Sequence, residues 1–216
     1  MRAPRLLPGV ALLSLGVAGA AGCTDEQPAL ERPAAASATA SPTDSTPTAA
    51  ASIDLPAGPL RELVPAPDEV PDGLEPVMEG SGPRDAAEVA AFSSDPSAAS
   101  TQLARHGFEA AYVAQYASRT DLRSLTVVVV RFADAGGARA DLDGDVSASG
   151  GTAVDAPTIG DASDARRLAL PDAEAAELLT VRFRKGATTW LVAWRATRPA
   201  DAAVPLAVAE ALAERG

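Results

Sequence analysis

The chain has 216 residues, a formal net charge of −11, one histidine (His106), one cysteine (Cys23) and one lysine (Lys185). So acidic a sequence has no electrostatic footprint for nucleic acid, and a single histidine with a single cysteine cannot build a Cys/His zinc site within one chain. Aromatic residues are only 4% of the total, so Ala, Val and Leu must fill any core; roughly 160 residues suffice for one domain that buries about two-thirds of its unfolded surface.

Arg2 and Arg5 precede an apolar run, Leu6 to Ala21, that closes on Ala20-Ala21-Gly22-Cys23. A positive start, a short apolar centre and small residues make an export signal. The run holds Pro8 and several glycines and stops at Thr24-Asp25-Glu26, short of the ~20 apolar residues of a membrane span. An odd cysteine in an exported chain points to a special fate. Ala20-Ala21-Gly22-Cys23 resembles the lipobox of bacterial lipoproteins, with Ala20 where that family most often has Leu. The resemblance implies a diacylglyceryl group on the Cys23 sulfur, cleavage before Cys23, and acylation of the new amino group by a fatty acid such as palmitate. Two or more acyl chains give stable anchoring where one does not. Loss of Arg2 and Arg5 with residues 1–22 takes the charge from −11 to −13. Anionic headgroups repel such a chain, so the lipid itself must hold it at the extracytoplasmic face of the cell membrane.

Residues 23–54 follow as a linker of Ala, Ser, Thr, Pro and acids, with Leu30 and Ile53 the only large apolar residues. Such a composition cannot offset its ordering entropy and predicts disorder, with an r.m.s. reach of roughly 30 Å.

Residues 55–216 form the expected extracytoplasmic domain. Pro59–Val64 suggests a short helix. Asp85 followed by Glu88 is a capping-box start for a helix to Phe92. Asp95-Pro96 starts a second helix that ends at His106, before Gly107. Ala110–Ala117 and Leu125–Phe132 alternate as strands, joined by the polar turn at Ser118–Asp121. Asp134 caps a helix to about Val146, with Ala138 and Leu142 on its inner side. Residues 147–164 read as a loop containing a short strand. Leu178–Phe183 and Thr188–Ala196 form a second hairpin around Lys185-Gly186, and Pro199–Arg215 is a terminal helix. The order predicts an α+β fold: a mostly antiparallel sheet of about four to five strands covered by helices, a single domain after the linker. The run Gly107-Phe108, Tyr112, Tyr116 and Val130 to Ala138 resembles segments of uncharacterised actinobacterial lipoproteins. That resemblance spans residues 100–140 and implies a secreted α+β domain without assigned catalytic residues.

Motifs for chemistry are absent or explained otherwise. No Gly-x-Ser-x-Gly elbow accompanies His106; a histidine in a last helical turn serves the terminal carbonyls and the dipole. Asp141-Leu142-Asp143-Gly144-Asp145 evokes a calcium loop but has Val146 where Gly belongs and Thr152 where Glu belongs. Arg166-Arg167 reads as an exposed basic pair. No cofactor and no metal are expected. Trp190 and Trp194 are four apart on one strand and Tyr112 and Tyr116 four apart on another, so each pair shares a face. They are either the bulky elements of an Ala/Val core or the face of a groove for an envelope sugar or acyl chain. The sequence therefore reads as a lipid-anchored, non-catalytic binding or sensing module of the cell envelope. Its partner would be cell-wall polymer, lipid or a membrane protein. The alternatives are an envelope-directed hydrolase with a site hidden in sequence and a carrier of an apolar ligand.

Overall fold

Alternation of apolar and polar residues produces two long hairpins, and everything else packs around their junction in a computed structural model describing residues 54–93, 95–148, 150–170 and 175–216. In chain order the elements are a 3-10 turn (Arg61–Leu63), β1 (Glu75–Pro76), β2 (Gly82–Arg84), α1 (Ala86–Ala90), α2 (Pro96–Arg105), β3 (Phe108–Ala117) and β4 (Ser124–Phe132). There follow α3 (Ala135–Ala148), β5 (Thr152–Ala153), β6 (Ala162–Ala169), β7 (Ala176–Lys185), β8 (Thr188–Thr197) and α4 (Ala203–Ala213). The strands make one antiparallel sheet in the order β1-β3-β4-β8-β7-β6-β5, with β2 also paired to β3. Cys23, the export signal and the expected linker lie outside the described residues, apart from Asp54.

The α+β reading holds, but the sheet has eight strands rather than four to five. β5 is the short strand expected within residues 147–164. Of the additional strands, β1 and β2 are two and three residues long and exist only through pairing with β3. The third, β6, carries the polar sequence ASDARRLA, and only its first three residues fall in the expected loop. It pairs with β7 along its whole length, from Ala162↔Arg184 to Ala169↔Glu177. Ladder bonds to a strong strand outweigh its own weak propensity.

Helix ends follow their capping chemistry. Asp85 and Glu88 close a reciprocal capping box on α1. Asp95 accepts from the Ala98 N–H at the start of α2, with Pro96 in the first turn, and Gly107 takes φ 75° after its end. Asp134 accepts from the Gly137 N–H at the start of α3. A side chain at Gly137 would put its Cβ 1.9 Å from the His106 carbonyl oxygen, so glycine is what lets α3 pack against the end of α2. The terminal helix begins at Ala203, later than the expected Pro199. The segment before it is irregular and held by a carboxylate instead: the Ala200 N–H donates to the buried Glu177, which also takes Arg167 and faces Arg198.

The sheet has two unlike faces. On the core face the register sets Tyr112, Val129, Trp190 and Phe183 in one row across four strands, and Tyr116, Leu125, Trp194 and Leu179 in the next. Phe183 and Trp190 stack with ring centres 4.9 Å apart and planes within 3°. α4 covers this face through Val208, Ala209 and Leu212, and residues 54–74 lie over it as a strap, inserting Leu55, Leu60, Leu63, Val64 and Leu74. On the outer face a smaller core joins Ala90, Leu103 and Ala138 to Ala111, Val130 and Phe132.

The strap is fixed by polar tips of buried aromatics. The Tyr112 hydroxyl donates to the Pro56 carbonyl at 2.5 Å, the Tyr116 hydroxyl to Pro65 at 2.5 Å, and the Trp190 indole N–H to Leu63 at 3.1 Å. Arg215, just after α4, donates to the Val64 carbonyl and pairs with Glu69. Within the strap Leu60 sits at φ 65°, a strained backbone that persists because its side chain is locked in the core. Burial raises the Tyr116 hydroxyl far above its usual range, so it remains a donor at any pH the fold survives. Tyr116→Phe leaves the Pro65 carbonyl without that donor, and a loss of about 1–3 kcal/mol is expected. The urea midpoint measures it; an unchanged midpoint would mean that the strap does not depend on this bond.

Candidate functional site

The four aromatics singled out from the sequence come together as two adjacent rows on the core face. Tyr112, Tyr116, Trp190 and Trp194 are each at most 3% exposed. Three spend their polar groups on the strap. The Trp194 indole nitrogen is buried without a hydrogen-bond partner. A ligand would reach this face only with the strap displaced. A void of about 10 Å3 beside Leu179, Val181 and Pro205 is no larger than a water needs.

The acidic run of α3 is continuous helix, not a loop, so its carboxylates project at helical spacing rather than around a cation. Asp141 and Asp145 are one turn apart on the side turned toward the sheet. The Thr189 hydroxyl donates to Asp141 at 3.1 Å, and Arg182 approaches Asp145 at 3.7 Å. Burial, then repulsion from Asp145, pushes the Asp141 carboxyl up to about 7, against the opposing Thr189 bond. His106 ends α2, its backbone N–H bonded to Gln102 and Ala104 carbonyls and its ring edge-on to Phe132.

The basic pair read as exposed is half-buried in β6 and engaged. Arg166 pairs with Asp164 at 2.8 Å on the outer face, and Arg167 pairs with Glu177 on the core face. Arg184 is likewise tied to Asp161 at 2.8 Å. Arg166 meets Asp164 because strand alternation sets residues two apart on one face, Arg167 meets Glu177 as a diagonal cross-strand neighbour, and Arg184 meets Asp161 just before β6.

Arg195 is different. It lies on the outer face of β8, directly opposite Ser124 of β4 and Leu178 of β7. Thr126 occupies the next row, opposite Gln115 of β3 and Ala193 of β8. All four polar residues are half-buried. Among the described residues none of their side chains makes a hydrogen bond or ion pair, and the Arg195 Nε is buried without a partner. Ala193, Leu178 and Leu168 beside them belong to neither core. This end of the outer face is thus a half-buried patch whose described side chains have unused hydrogen-bonding capacity. Sequence reasoning did not find it, because Arg195 joins the other three only through the β4–β8 pairing, which brings together segments some seventy positions apart.

A second concavity, about 350 Å3, lies open along α2 and is lined by Asp95, Ser97, Ala98, Thr101, Gln102 and Arg105. Its lining is polar, unlike the apolar enclosure that a carrier of greasy ligands requires.

No protein-family model matches the chain, and no curated protein matches its sequence. Among solved structures, the chain is similar to the extracellular domain of PknH from Mycobacterium tuberculosis, at 15% identity and a TM-score of 0.45, over 72% of this chain and 94% of that one.

The Asp141 carboxyl imposes a pH dependence of known sign. In the unfolded chain it titrates near 3.8 and in the folded chain near 7. Between those values the folded state holds a proton that the unfolded state has lost, so stability falls as pH rises across the window. Asp141→Asn removes this loss. The variant should exceed the wild type by about 2 kcal/mol at pH 8, the two converging near pH 4. Urea unfolding at pH 4, 6 and 8 tests it; parallel curves would clear Asp141 as the source.

Proposed function

We propose that this protein is a non-catalytic binding module, lipid-anchored through Cys23 at the extracytoplasmic face of the cell membrane. The observation that carries the address is the order Arg2, Arg5, apolar run, Ala20-Ala21-Gly22-Cys23, in which each part supplies one requirement of export and acylation. Among the described residues no helix is long and apolar enough to cross a membrane. The linker then holds the domain some tens of Å from the bilayer, within the envelope, where the part-open outer face meets a partner.

Binding fits the domain better than catalysis. Asp141 holds the pKa of a general acid, but its carboxylate accepts from Thr189 under α3 rather than facing a cleft. Glu177 is committed to Arg167 and the Ala200 N–H. Among the described residues, the unpaired hydrogen-bonding side chains Gln115, Ser124, Thr126 and Arg195 gather on one half-buried stretch of the sheet, which suits contact with a ligand. The core aromatics support the domain, with the strap over them.

Metabolic labelling with a fatty acid tests the anchor. Wild type should incorporate label and fractionate with membranes, while Cys23→Ser should incorporate none and leave the precursor uncut or the protein released, since a hydroxyl does not replace the thiol as acceptor. Equal labelling of the two proteins would remove the anchor from this reading.

A further inference from the structure

We infer that the part-open end of the outer face binds an acidic carbohydrate, with Arg195 receiving a sugar carboxylate and Ser124, Thr126 and Gln115 receiving hydroxyls. This deepens the binding-module reading and rests on it.

The chemistry of the patch selects the ligand class. Arg195 is a half-buried guanidinium with no carboxylate among the described residues, in a chain where Arg166, Arg167, Arg182 and Arg184 all have one. A planar five-donor fork matches a planar carboxylate in paired hydrogen bonds. Two hydroxyls and a primary amide on neighbouring strands offer both donors and acceptors, the pattern that sugar hydroxyls require. Ala193, Leu178 and Leu168 provide apolar surface for the C–H side of a pyranose ring.

Charge excludes the other anionic partners. Among the described residues the patch has one cation without a carboxylate, Arg195, while Asp164 and Asp145 farther along the face are each held by an arginine. A densely charged polyphosphate carries more negative charge than the one cation left without a carboxylate here among the described residues can neutralise. An anionic bilayer would meet the whole surface of a chain with net charge −11. A glycan with one carboxylate per repeat, thin enough to lie across strands ~4.8 Å apart, presents a single charge to Arg195 and neutral hydroxyls elsewhere.

The test uses the full chain purified in detergent, with calorimetric titration of hexagalacturonate and of a hyaluronan hexasaccharide. Binding of at least one is expected, with a dissociation constant raised about 10- to 100-fold by Arg195→Gln, the loss of one charged hydrogen-bonding group. Arg195→Lys should fall between, keeping charge but losing the fork. Thr126→Asp places a like charge beside the ligand and should abolish binding, which covers the case of an Arg195 variant that fails to fold. Failure of both oligosaccharides to bind, equal affinity in wild type and Arg195→Gln, or tighter binding to polyphosphate or to phosphatidylglycerol vesicles would each overturn the inference. Fatty-acid labelling separates the two readings: a labelled protein that binds neither sugar loses this site and keeps its anchor.

Discussion

Burying an aromatic ring that carries a polar tip costs free energy unless the tip finds a partner, and meeting that cost for three of the four core aromatics organises the domain. The chain has few large side chains, so its core face depends on Tyr112, Tyr116 and Trp190. Each brings a hydroxyl or indole N–H into a place water does not reach. The strap answers all three with backbone carbonyls of Pro56, Leu63 and Pro65. Prolines suit such a segment: they favour extended backbone and their own nitrogens need no partner. The strap in turn fixes the end of α4, because Arg215 reaches the Val64 carbonyl and Glu69.

The outer face follows a different logic. Arginines stand there among apolar and hydroxyl residues, and nearly all are neutralised locally: Arg166 by Asp164, Arg182 by Asp145, Arg184 by Asp161. Pairs this close to the surface contribute little stability, but they cancel field, while Arg195 has no carboxylate among the described residues. Helices use the opposite end of that face for a second small core, so the sheet is covered where it is apolar and left part-open where it is polar. Function is read from the polar end because the core face is sealed.

The larger elements were legible because their causes are local. The capping box of Asp85 and Glu88, Asp95-Pro96 at the head of α2 and the β-branched centre of β4 each depend on residues within one or two turns. The capping and strand signals carried through to the fold at nearly the expected positions. Alternation also placed Trp190 with Trp194, and Tyr112 with Tyr116, on common faces.

What escaped the sequence depends on pairing between distant segments. β6 is a strand because β7 is beside it, not because ASDARRLA favours extension. β1 and β2 are too short to announce themselves. The aromatic rows could be grouped in pairs from spacing, but only the β3–β4–β8–β7 register decided that they share one face and that a strap closes over them. Arg195 looked like any strand arginine until that register set it opposite Ser124 and beside Thr126, away from the described acids. Local propensity and charge specified the parts; non-local hydrogen bonding decided which side chains became neighbours, and hence which surface remained available for binding.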